Sequence, residues 1–108
     1  MSDFELRTKI NELRSRYRIG DAKASEECES LFGSALRRII RRVIRFGRAS
    51  SAFERRILSE ADQLTQNGVV GDSLAAMVSR RVCNALLSSE TASHGDTVQQ
   101  YLLATIVR

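Results

Sequence analysis

The chain has 108 residues, enough for one domain with a modest core but not for two independent ones. Hydrophobic residues make up 43% and charged residues 28%, a balance that excludes wholesale disorder. No apolar run approaches the roughly 18 residues a membrane span needs, and the net charge is +4.

The opening MSDFELRTK has acidic residues where a secretory signal would carry a basic and then a greasy stretch, so a cytoplasmic protein is expected. There is no proline, and glycines are the main punctuation. Asp3 is placed to cap a first helix from about Phe4 to Arg18, with Phe4, Leu6, Ile10, Leu13 and Tyr17 on its inner side. Gly20 ends it and Asp21 starts the next. A long second helix is expected from about Ala22 to Phe46, with Gly33 a weak point costing about 1 kcal/mol relative to Ala. Gly47 closes it as a left-handed cap.

Ser51-Ala-Phe-Glu54 fits the capping box, in which Ser caps the third backbone N–H on and Glu reaches back. The third helix then runs to about Gln66 and stops at Asn67-Gly68. Asp72 is placed to cap a fourth, Ser73 to Leu87, with Leu74, Met77, Val78, Val82 or Cys83, and Leu86 inward. SSETASHGD reads as a loop, and Asp96 as the cap of a short terminal helix with Val98, Tyr101, Leu102 and Ile106 inward. The expected fold is all-α: one domain over residues 1–108, a bundle of about five helices.

The charge is lopsided. Residues 1–34 carry six Lys/Arg against seven Asp/Glu, net −1; residues 35–56 carry eight Arg against Glu54, net +7; residues 57–108 carry three Arg against five acids, net −2. On a wheel at about 100° per residue, Arg37, Arg38, Arg41, Arg42, Arg45 and Arg48 fall within an arc of roughly 140°. Leu36, Ile39, Ile40, Val43 and Ile44 oppose them. An ordinary solvated face would mix signs through Glu–Arg pairs at i, i+4, yet no acid occurs from residue 30 to 53. The counter-charge comes either from an external anion or from acids elsewhere in the fold, the Glu26, Glu27, Glu29 cluster included.

Other chemistry is thin. Cys28 and Cys83 are two isolated thiols at core positions, neither a disulfide framework nor a metal motif. His94 has no partner residue for a metal site, Glu60 and Asp62 lie on different faces of one helix, and no nucleotide-binding or hydrolase motif occurs. Phe4, Tyr17, Phe32, Phe46, Phe53 and Tyr101 all read as core, leaving no evident stacking platform for bases. No enzymatic activity, cofactor or metal is expected.

GDAKASEECESLFGSALRRIIRRVIR (residues 20–45) resembles the opening of the core helical domain of extracytoplasmic-function RNA polymerase sigma factors, with its Gly-Asp, Ala/Glu run, Leu-aromatic pair and arginine-rich helix. EADQLTQ (60–66) is similar to the acidic-Leu-x-Gln stretch of that family's next helix, and AAMVSRRVCNALL (75–87) to its basic helix with an internal Asn. These segments cover about half the chain. Met77 stands where the family usually has Trp, and Gln66 and Met77 are too close for the promoter-melting helix. The family's helix-turn-helix domain has no counterpart either. The resemblance therefore implies a truncated or repurposed relative that keeps a surface for DNA or RNA polymerase.

Three function classes remain. A nucleic-acid-binding, transcription-associated protein would set the six arginines on phosphates. A helical adaptor or homodimer would use them to steer an acidic protein surface. An amphipathic helix on an anionic membrane ranks last, because the apolar side is needed for the core. All three require a helix: far-ultraviolet circular dichroism is expected to be dominated by the helical signature, and a sheet-rich spectrum would remove the arginine face altogether.

Overall fold

The computed structural model describes residues 2–88, and these form four α-helices: α1 (Asp3–Arg18), α2 (Lys23–Phe46), α3 (Ala52–Gln66) and α4 (Asp72–Ser88). The fold is all-α, with no strand among the described residues. Four helices rather than about five stand there; the terminal helix expected after Asp96, and His94, lie outside the described residues.

The helix ends follow local chemistry, with small shifts from expectation. Asp3 is the first helical residue of α1, and the cap is Ser2, whose Oγ accepts from the Glu5 N–H at 3.1 Å. Ser2-x-x-Glu5 is itself a capping-box spacing. Asp21 does the expected work for α2 from one residue before the Ala22 cap, its carboxylate accepting from the Lys23 N–H at 3.0 Å. In α3 the Ser51 hydroxyl accepts from the Glu54 N–H at 3.1 Å, and Glu54 reaches back to the Ser50 N–H at 3.2 Å rather than to Ser51. Gly47, at φ 64°, ends α2 in the left-handed region that a Cβ would disfavour.

α2 and α4 form the centre. They run antiparallel, since Ser25 meets Asn84, Glu29 meets Arg80, and Arg41 meets Asp72. α1 and α3 each pack against both. Because α2 and α4 touch all three other helices, their buried faces are wide: Ala24, Cys28, Phe32, Gly33, Leu36, Ile39, Ile40 and Val43 on one, and Ala75, Val78, Ser79, Val82, Cys83, Leu86 and Leu87 on the other. α1 contributes Leu6, Ile10 and Leu13, and α3 contributes Phe53, Ile57, Ala61 and Leu64. Arg14 ties α1 to α4 by donating from Nε to the Leu86 carbonyl at 2.9 Å.

Several residues expected inward are not. Phe4 is 78% exposed, because it sits about 160° around the helix from Leu6 at 100° per residue. Met77, 38% exposed, lies opposite the centre of the wide α4 face, and Phe46 is 67% exposed. Ile44, Leu74 and Tyr17 are only partly buried, at the margin of the core. Both Val82 and Cys83 are buried, where one of the two was expected.

Ile40 is fully buried in the centre of α2, while Arg38 is exposed on the same helix. Truncating Ile40 to Ala is expected to cost about 2–5 kcal/mol of unfolding free energy. Arg38→Ser should change it by no more than about 0.5 kcal/mol. Denaturant midpoints measure both, and an arginine change as costly as the core truncation would make the basic side an internal ion-pair surface.

Candidate anion-binding face

The C-terminal half of α2 has a buried apolar side and an exposed basic side. Leu36, Ile39, Ile40 and Val43 are buried against the other helices, whereas Arg38, Arg41, Arg42 and Arg45 are exposed. These four stand at i, i+3, i+4 and i+7, one face about two turns and 10 Å long.

The remaining two of the six expected arginines are placed differently. Arg37 is half-buried and folds back over Gly33, where an added Cβ would come within 3.2 Å of its Nη1. Gly33, expected to be only a tolerated weak point, thus leaves the space that this guanidinium occupies. Arg48 is exposed but lies beyond the Gly47 cap, in the segment leading to α3, so the α2 wheel does not govern it.

Two of the three acids of α2, Glu27 and Glu29, are committed elsewhere. Glu27 pairs with Arg16 and, at 3.8 Å, with Lys9 of α1. Arg16 also binds Asp21 at 2.9 Å and Glu12 at 3.5 Å. Its hydrogen bond to Asp21, assisted by the Lys23 N–H, holds that carboxyl below the usual range and raises the guanidinium in turn. Glu29 faces Arg80 of α4 at 3.6 Å. Along the axis, Glu29 is about 14 Å from Arg38 and Glu27 about 27 Å from Arg45, at 1.5 Å per residue. Both separations exceed the screening length of about 8 Å in physiological salt. The Glu26, Glu27, Glu29 cluster therefore does not neutralise the arginine face.

Nearby acids do little more. Asp72 reaches Arg41 at 3.9 Å, between side chains 57% and 100% exposed, a geometry worth little in water. Among the described residues no carboxylate stands within 4.0 Å of Arg38, Arg45 or Arg48. Glu60 is engaged at 2.8 Å with Arg81 of α4 and at 3.9 Å with Arg56 of its own helix, and Asp62 is exposed.

The two cysteines are separated in sequence but not in space. Both are buried and free, and the Cys83 thiol bonds to Cys28 across the α2–α4 seam. That bond, with burial, pushes Cys83 well above the ordinary thiol range, so the nucleophilic thiolate is scarce. Among the described residues no group of three or more His, Cys, Asp or Glu is arranged to hold a metal, and no helix is long and apolar enough to cross a membrane.

Compared with known proteins, the chain matches no family model, no curated protein and no solved structure.

Four like charges two turns apart or closer repel one another, and salt screens that repulsion. Raising ionic strength from about 0.01 M to 0.15 M shortens the screening length from about 30 Å to 8 Å. The melting temperature of the wild type is expected to rise more over this range than that of the Arg41→Ser/Arg45→Ser variant. An equal or larger gain in the variant would show that the face is already neutralised within the fold.

Proposed function

We propose that this chain is a small, non-enzymatic nucleic-acid-binding helical protein, associated with transcription, that grips phosphates with Arg38, Arg41, Arg42 and Arg45. The observation that carries the reading is the i, i+3, i+4, i+7 set of exposed arginines on a helix whose Glu27 and Glu29 pair with α1 and α4. Arg37 and Arg48 flank the set as secondary contacts.

Guanidinium suits this task because its planar fork donates two parallel hydrogen bonds to one phosphate and stays charged at any working pH. A duplex carries one charge per roughly 1.7 Å of axis, so a 10 Å face overlies about six. The four guanidiniums are assigned to phosphates, contacts that position a strand without reading its bases, so little sequence preference is expected. The link to transcription, with RNA polymerase as a further partner, rests on the sigma-factor resemblance of residues 20–45, 60–66 and 75–87.

Electrophoretic mobility shift on duplex DNA over a salt series tests the reading. With about four phosphates neutralised, log K should fall against log salt with a slope near −3 to −4. Arg38→Ser, Arg41→Ser or Arg45→Ser should each reduce the slope by about one without altering sequence preference. Absence of binding at low salt would contradict the proposal, and an acidic protein surface would then be the better partner.

A further inference from the structure

Phe46 is the last residue of α2 and is 67% exposed. Exposure of a single apolar side chain is ordinary and by itself carries nothing. Its position is what matters. It lies one turn beyond Arg42, at i+4, and directly follows Arg45, so its ring borders the arginine face. The left-handed Gly47 ends the helix immediately afterwards and turns the chain away, leaving exposed Arg48 beyond it. Among the described residues the other exposed aromatic ring is Phe4, on α1, a helix with no arginines at i, i+3, i+4 and i+7.

An aromatic ring at the end of a cationic track matches the way unpaired strands are held: arginines follow the phosphates and a ring stacks on a base. In a duplex the base faces are covered by their neighbours, so the same ring gains nothing from a backbone contact. We infer that Phe46 is a base-stacking residue and that the arginine face of α2 prefers single-stranded nucleic acid over duplex. This rests on the phosphate-binding reading above and adds to it a ligand class and a specificity residue. Phosphates on Arg38, Arg41, Arg42 and Arg45 set the strand along α2, and the base nearest the helix end packs on the ring.

Fluorescence anisotropy with a labelled oligothymidylate of about 12 nucleotides, inside the roughly 4–16 that such sites cover, is compared with a mixed-sequence duplex of equal length. Phe46→Ala is expected to weaken single-strand binding about 5- to 150-fold, the range for loss of one stacked base, and to leave duplex affinity unchanged. Phe46→Trp should retain single-strand affinity. The chain has no tryptophan of its own, so quenching of that indole on binding reports on position 46 alone. Unchanged single-strand affinity in Phe46→Ala, or equal loss on both ligands, would overturn the stacking role while leaving the phosphate contact standing. A wild type that binds neither ligand at low salt would mean that the phosphate reading itself has failed.

Discussion

The structure depends on the seam between α2 and α4. These two antiparallel helices touch every other element, and their joint surface holds most of the core. Once Leu36, Ile40 and Val43 are committed to that seam, the rotation of α2 about its axis is fixed. A slip of a single residue would turn it by about 100° and carry an arginine inward. Burying an unpaired guanidinium costs far more than the packing gained. The apolar and basic sides of α2 therefore enforce each other, and the outward direction of Arg38, Arg41, Arg42 and Arg45 follows from the core.

Along its length α2 is also sorted by charge. Glu26 lies in its first turn and Arg45 in its last, the arrangement that the helix dipole favours. That term is worth about 0.3–1 kcal/mol and fades within one turn of the end, so it offsets part of the repulsion at Arg45 and little at Arg38. Glu27 and Glu29 are engaged with α1 and α4, through Arg16, Lys9 and Arg80. What holds the N-terminal half of α2 in place thus keeps Glu27 and Glu29 away from the arginines of the C-terminal half. Arg37 is the exception that fits the rule: it escapes the face by lying over Gly33, near the Cys28–Cys83 pair.

Much of this was legible in the residues. The helix class, the boundaries of α2 and the Ser51 cap follow from periodicity and capping chemistry, since both act locally. The buried status of Leu36, Ile40 and Val43 follows from the segregation of α2. The misses have a common cause. Phe4, Phe46 and Met77 are apolar by type, but their wheel positions set them apart from Leu6, Ile40 and Val78. The meeting of Cys28 with Cys83 and the folding of Arg37 over Gly33 depend on which helix packs where, and that is not written in any local pattern. The fate of Glu27 and Glu29 is of the same kind: spacing showed the cluster, and only the neighbouring helices show what it binds.

Side-chain Nε–Hε signals of the arginines, followed by nuclear magnetic resonance during titration with nucleic acid, test the central claim most directly. They report each guanidinium separately. The account predicts that Arg38, Arg41, Arg42 and Arg45 shift together and saturably at low salt, while Arg16, Arg80 and Arg81, engaged with Glu27, Glu29 and Glu60, stay where they are. Shifts confined to those paired arginines, with the α2 set unmoved, would contradict it.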